Sequence, residues 1–276
     1  MTTIALPGIA RRTAVHVPDG PTARARRALK DGLVVTERNL LAFTRTPEAL
    51  FFMTLQPIMF VVMFRYVFGG AIHIPGFDYK NYMMPGIFVQ TAAFGSVGTA
   101  VGMAEDLHKG LLERFRALPM ARSAVLVGRS AADLVRGLLV IVAMTGVGLA
   151  VGFRPKAGII PFIASIGLLL LFLHALSWGF SVIGLIAPNS ETAQVMAFPV
   201  LFPLTFASSA FVSVQSMPGW LQAFANHQPV SAVIDASRAL MLGGPTSKHV
   251  IVALAWCLGI VAVLAPVAVY RYRRTA

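Results

Sequence analysis

The sequence predicts an all-α integral membrane protein with six transmembrane helices, an N-terminal amphipathic interfacial helix and a re-entrant helical pair before the last span. Three observations lead there. The hydrophobic fraction is 57%, charged residues are 12% and mean hydropathy is +0.74, more apolar than the core of a soluble domain requires. Apolar stretches of about 20 residues, enough to cross a bilayer as a helix, recur along the chain. Between two of them stands a dense polar connector, Glu105 to Pro119.

The net charge of +12 belongs to the same pattern. Basic residues sit between apolar stretches and at the chain ends rather than on one folded face, so the lipid headgroup layer, and not nucleic acid, is the anionic partner. The single cysteine, Cys257, lies within an apolar run, which rules out an intrachain disulfide and a Cys-rich metal site.

Residues 1–23, punctuated by Pro7, Gly8, Pro18, Gly20 and Pro21, read as a disordered cytoplasmic tail without the apolar core and cleavage pattern of a signal peptide. Residues 24–46 read as an amphipathic helix: Leu29, Leu33, Thr36, Leu40 and Phe43 recur at helical spacing, while Arg26, Arg27, Lys30, Asp31 and Arg38 take other faces. Such a helix lies in the inner interface; an ordinary solvated helix is the alternative.

The transmembrane domain follows over residues 47–274, with spans at about 49–68, 83–103, 124–152, 159–187, 195–212 and 250–270. Arg65 is near enough to the far end of the first span to snorkel. Pro199 and Pro203 each remove a backbone donor from the fifth and favour a kink. The stretch Ser213 to Ser247 is apolar yet broken by Pro218, Gly219 and Trp220, by Asn226, His227, Gln228 and Pro229, and by Gly243, Gly244 and Pro245. Each piece is too short to span. Two short helices covered by protein satisfy the backbone where a lipid-exposed loop could not, which makes this the outer re-entrant region.

Orientation follows from Lys and Arg. With the N-terminus inside, the inner side holds eight in residues 1–48, six from Lys109 to Arg136 and three at Arg271, Arg273 and Arg274. The outer side holds six: Arg65, Lys80, Arg154, Lys156, Arg238 and Lys248. This positive-inside bias puts both termini and the Glu105 to Pro119 connector in the cytoplasm.

Few residues offer chemistry. Glu105 and His108 have the spacing of half a di-metal site, but no second copy exists, so no metal site is expected. His174 sits mid-span, where an ionisable group invites a functional reading; a neutral imidazole bonded to a neighbouring helix is the plainer one. Arg129, Asp133 and Arg136 are one turn apart and read as an ion-pair cluster at the inner interface; Asp235 and Arg238 form a similar pair on the outer side. No metalloprotease or nucleophile-elbow motif appears, and no nucleophile clusters with a base. No acidic residue is expected deep within a span, which disfavours proton or cation coupling. No Lys follows a Gly, so the chain has no P-loop, and if ATP supplies the energy another polypeptide binds it.

These residues carry a family resemblance. The chain resembles the permease subunits of type-2 ABC exporters, and within them the daunorubicin-resistance permease group. The matching motifs are Tyr82-Met83-Met84-Pro85-Gly86-Ile87, Glu113-Arg114-Phe115-Arg116-Ala117-Leu118-Pro119-Met120, and Gly128-Arg129 with Asp133. They continue with Asn189-Ser190-Glu191, Met217-Pro218-Gly219-Trp220-Leu221 and Asn226-His227-Gln228-Pro229-Val230-Ser231. Their order and their placement relative to the spans make the match specific over about residues 30–274.

The resemblance implies a half-transporter of the bacterial inner membrane. Two permeases, identical or paralogous, would work with two copies of a cytoplasmic ATPase that holds ATP and Mg. It further implies an ATPase-coupling helix after the second span, carrying Glu105, Gly110, Glu113, Arg114, Phe115 and Pro119. The cargo expected is a hydrophobic drug-like compound or a lipid, moved outward past aromatic and Met side chains. An intramembrane enzyme or a scaffold for a membrane complex is the alternative.

Overall fold

The computed structural model of the chain describes residues 47–72, 74, 76, 78–109 and 122–275. Its helices are α1 (Pro47–Val62), which continues into a π-helical turn at Met63–Val67, α2 (Tyr79–Gly95), α3 (Val97–His108), α4 (Arg122–Ala150), α5 (Ile159–Ile186), α6 (Ser190–Phe206), α7 (Gly219–Asn226), α8 (Pro229–Leu242) and α9 (Thr246–Thr275), with a 3-10 turn at Val214–Ser216. The tail 1–23, the amphipathic helix expected over 24–46, and Gly110, Glu113, Arg114, Phe115 and Pro119 of the connector lie outside the described residues.

The regular secondary structure of the described residues is helical, as expected. Four of its described helices are long and apolar enough to cross a membrane: Tyr79–His108, Arg129–Ala150, Ile159–Ile186 and Thr246–Tyr272. Their burial runs opposite to their hydropathy. The helix Tyr79–His108 has the lowest mean hydropathy of the four, 1.4, and is 72% buried, whereas Thr246–Tyr272 has the highest, 2.7, and is 11% buried. In water the most apolar helix would be the innermost. In lipid the apolar face is the solvated one, and the interior is chosen by close packing and by polar groups that need partners.

Packing supports that reading. Gly86 of α2 lies so close to the backbone of Ala210 that an added Cβ would sit 2.5 Å from its carbonyl oxygen, and Gly184 of α5 meets Ala100 and Met103 of α3 in the same way. Small residues let these backbones approach where no hydrophobic force draws them together. Hydroxyls inside the helices close on their own carbonyls, as Thr91 does on Ile87, Thr145 on Ile141 and Ser177 on Leu173.

Contacts define two ends of the bundle. At one, Met103, Leu185 and Tyr272 cluster beneath the exposed Glu105. At the other, the Tyr82 hydroxyl donates to the carbonyl of Val212, the Arg154 amide to Asn81 Oδ1, and the Lys156 amide to the carbonyl of Met241.

Three helices that reach the Tyr82 end, α6, α7 and α8, are shorter than a span. Helix α6 begins at Ser190, where Asn189 caps it by accepting from the Thr192 amide, runs through Pro199 and Pro203, and stops at Phe206. The chain beyond, where the fifth span was expected to continue to 212, leaves helical geometry while Ser208, Ser209, Ala210 and Phe211 stay buried. The two short helices that follow are unequal. Helix α8, opened by Pro229 at its first turn, where the missing N–H costs nothing, is enclosed by α2, α5 and α9. Helix α7 has 8 residues and leaves Trp220 75% exposed.

Candidate functional site

At the Glu105 end, α3 and α4 meet through charges set into a small-residue groove. Arg136 of α4 pairs with Asp133 at 2.7 Å, and the Thr99 hydroxyl donates to the same carboxylate at 2.5 Å. A second Arg136 N–H reaches the carbonyl of Gly95 at 3.0 Å, at the joint between α2 and α3 where shortened bonds, Ser96 to Ala93 and Thr99 to Ser96, replace the helical ones. The guanidinium occupies the space a Cβ on Gly98 would need, 2.8 Å from where that atom would lie, and Arg129 occupies the corresponding space at Gly102. Arg129 reaches beyond the expected cluster: it pairs at 2.9 Å with Asp106 of α3, a residue whose importance no local spacing announced. Asp133 is 6% exposed, and its partner Thr99 lies about 30 Å along the helix from Tyr79, at the edge of a hydrocarbon core.

The Tyr82 end repeats the device. Arg238 of α8 pairs with Asp235 at 2.8 Å, the Ser209 hydroxyl donates to that carboxylate at 2.8 Å, and Arg238 Nη2 donates to the Ser209 carbonyl at 2.6 Å. The guanidinium also lies 3.8 Å over the ring of Tyr82, a cation–π contact. Gln228 completes the stitching: its Nε2 donates to the carbonyls of Leu204 and Ala207 at 2.8 and 3.0 Å, while its Oε1 accepts from the Val230 amide. One side chain therefore closes the broken end of α6 and caps the start of α8, so the non-helical stretch between is tolerated because protein satisfies it. Tyr82, Ser209, Asn226, Asp235 and Arg238 face an open polar cavity of about 310 Å³.

The other expected residues fall into place around these. Pro218 precedes α7, Gly219 begins it, and exposed His227 holds the carbonyl of Ala223 with Nδ1 at 2.8 Å. Glu105 pairs with Lys109 at 2.5 Å, a hydrogen bond that raises the Lys109 pKa above its ordinary value. Among the described residues no group of three or more His, Cys, Asp or Glu could hold a metal ion.

His174 does meet a hydroxyl, that of Ser130 at 2.6 Å from Nδ1, but the Trp178 indole donates to Nε2 at 3.2 Å. With Nε2 accepting, Nδ1 carries the proton and donates to Ser130, so this imidazole cannot serve as that serine's base. It is the neutral interhelical contact the sequence suggested.

Aromatic side chains are expected along the path of the cargo with no residue singled out, and the structure lines several phenylalanines into a seam. Phe198, Phe202 and Phe206 stack along α6, Phe94 of α2 closes on the first two, and Phe60 and Phe211 join Phe206. Phe64 lies 4.0 Å from Phe211 in parallel and passes the chain to Phe68 at the Tyr82 end. Phe202 and Phe206 are 48% and 40% exposed while Phe211 at the junction is buried, so the seam faces outward from this chain along its α6 edge. Each phenylalanine reads locally as one more apolar residue, and only the approach of Phe60, Phe94 and Phe211 to the rings of α6 lines them up.

Comparison with known proteins agrees with this architecture. The chain is 34% identical over 262 residues to the daunorubicin resistance ABC transporter permease protein DrrB1 of Streptomyces coeruleorubidus, covering 95% of this chain and 92% of that one. It is 30% identical over 258 residues to the "probable doxorubicin resistance ABC transporter permease protein DrrC" of Mycobacterium tuberculosis, covering 93% of each, and 26% identical over 201 residues to the doxorubicin resistance ABC transporter permease protein DrrB of the same organism, covering 70% of this chain and 68% of that one. The ABC-2 type transporter model matches residues 32–242, from ahead of α1 to the last residue of α8. With its apolar helices and this match over most of its length, the chain is a multi-pass membrane protein that belongs to the ABC-2 type transporter family.

Proposed function

We propose that this chain is the permease subunit of an ATP-driven exporter that moves a hydrophobic, aromatic drug-like compound or a lipid outward across a bacterial inner membrane. Relatives named for daunorubicin and doxorubicin resistance support the cargo class. The single observation that carries it is the exposed phenylalanine seam running to the Tyr82 end, because stacked aromatic faces hold flat apolar cargo without demanding one exact shape. In this reading the chain crosses the membrane six times, with α1 and α6 as the spans that are short of full length. Both termini and Glu105 face the cytoplasm, as the Lys and Arg distribution requires. Helices α7 and α8 form the outer re-entrant pair.

A second permease copy or a paralogue would close the seam from the other side. The energy would come from a separate ABC ATPase, two copies per transporter, holding ATP and Mg and docked on the connector. Glu113, Arg114 and Phe115 are the docking residues, since a desolvated charged pair beside an aromatic anchor supplies most of the energy of such contacts.

The test expresses the chain with a candidate ABC ATPase and measures both recovery of the ATPase in pull-downs from native membranes and efflux of daunorubicin from intact cells. Glu113→Ala and Arg114→Ala should leave the permease inserted, weaken ATPase recovery more than tenfold, corresponding to about 2–5 kcal/mol, and abolish efflux. Normal recovery and efflux in both variants would rule out these side chains as the coupling contact.

A further inference from the structure

We infer that the open cavity at the Tyr82 end is a subsite for an uncharged, hydroxyl-rich head on the cargo, a sugar or other polyol, with Asn226 as its selecting residue. The inference rests on the export reading, in which this end faces outward. The cavity has a volume of about 310 Å³, at the low end of the range for ligand pockets, so it fits a head group rather than a whole drug-sized molecule. Gln222 and Asn226 of α7, Asp235 and Arg238 of α8, and Ser213 and Gln215 of the stretch between α6 and α7 line it. Four of these present polar groups that no described residue engages: Asp235 Oδ2, Gln222 Oε1, the Ser213 hydroxyl and the Asn226 amide. None of the four is sealed from solvent.

Neighbouring groups hold two of these atoms in place. Gln222 Nε2 donates to the carbonyls of Met217 at 2.7 Å and Gln215 at 3.3 Å, which fixes the amide plane and with it Oε1. Asp235 Oδ1 accepts from Arg238 and from the Ser209 hydroxyl, each at 2.8 Å, which fixes Oδ2 in the same way. An acceptor already held costs little ordering when a ligand binds. Charge narrows the class of ligand. The Asp235 carboxylate and the Arg238 guanidinium cancel, and Arg238 is further engaged by the Ser209 carbonyl and the Tyr82 ring, so the lining residues leave no unpaired charge to draw in an ion. What remains is two fixed acceptors, a hydroxyl, and an amide that both donates and accepts. The hydroxyls of a polyol donate to such acceptors and accept from such an amide, whereas a carbonyl head would bring Asp235 Oδ2 and Gln222 Oε1 no donor. Position ties the head to the cargo. Ser209 and Ser213 flank Phe211, where the phenylalanine seam meets Phe60, Phe64 and Phe206, so the seam ends beside the residues that wall the cavity.

Naphthyl glucoside and its fully O-methylated ether isolate those hydroxyls, since they share an aromatic body and a sugar ring and only the first can donate. Equilibrium binding of each to the full-length chain in lipid nanodiscs, with partition into empty nanodiscs subtracted, should show about a tenfold preference for the glucoside, the scale of one or two net hydrogen bonds. Asn226→Ala and Ser213→Ala together should reduce the preference to roughly twofold by weakening the glucoside alone. They should leave the melting temperature unchanged, because neither side chain bonds to a described residue. No preference in the wild type, or the full preference in the double variant, would overturn the subsite. Tighter binding of naphthylmethyl-trimethylammonium than of the glucoside would overturn it in favour of a cation site, and methyl glucoside competing as strongly as naphthyl glucoside would assign it to free sugar rather than to cargo. If the preference behaves as expected but the chain and its ATPase transport neither naphthyl glucoside nor daunorubicin in energised vesicles, the subsite stands and the export reading fails.

Discussion

The two ends of this molecule use one device, Asp-x-x-Arg on a helix, in two environments. In both, the arginine pairs with the aspartate three residues before it, a hydroxyl from a neighbouring segment donates to that aspartate, and a second guanidinium N–H takes a carbonyl where the adjacent backbone departs from helical geometry. At the Glu105 end both side chains are under a tenth exposed and the carbonyl, that of Gly95, belongs to a joint between two helices. At the Tyr82 end Asp235 is 36% exposed on an open cavity and the carbonyl, that of Ser209, belongs to a stretch with no helix at all. The buried copy is a fixed rivet between α3 and α4. The exposed copy is a fastener that water and ions can reach.

Perturbing each copy sharpens that contrast. The largest effect belongs to Asp133→Asn, which takes the carboxylate charge from beside a buried guanidinium; a loss of about 3–5 kcal/mol is expected, read as a lowered melting temperature of the purified protein and indifferent to salt. Wild-type melting in this variant would mean that the pair is no rivet. Next comes Arg238→Met, expected to cost about 1.5–3 kcal/mol because Asp235 regains water. Here hydrogen exchange at the amides of Ala207 to Val212 should quicken in the variant, and in the wild type at roughly 1 M salt, where exposed charges are screened within about 3 Å. Exchange that ignores both changes would show that Arg238 does not hold the stretch.

Gln228→Leu removes the donor from two carbonyls without touching a charge. A cost of about 1–2 kcal/mol is expected, with faster exchange confined to the end of α6 and no dependence on salt, which separates amide stitching from ionic fastening. The smallest effect is that of Lys109→Ala. Its pair with Glu105 is exposed on both sides, and such pairs contribute little, so the melting temperature should not move. A measurable fall would show that the pair is held in contact with something beyond water.

Much of this was legible along the chain because bilayer thickness and backbone hydrogen bonding translate directly into runs of apolar residues. The membrane class, the helical fold, the polar connector and the ion pairs at Asp133 with Arg136 and Asp235 with Arg238 followed from order and spacing, and the family from motifs that resemble it. What spacing could not supply was anything that depends on which faces meet. Asp106 looked like one more charge in the connector until α4 brought Arg129 to it, and Gln228 like one residue of a loop motif until the end of α6 offered it two carbonyls. The phenylalanines of the seam are scattered from 60 to 211. In lipid, apolarity marks a residue as membrane-embedded without saying whether it faces lipid or protein. Tertiary packing therefore decided which polar groups found which partners and where the aromatic rings lined up.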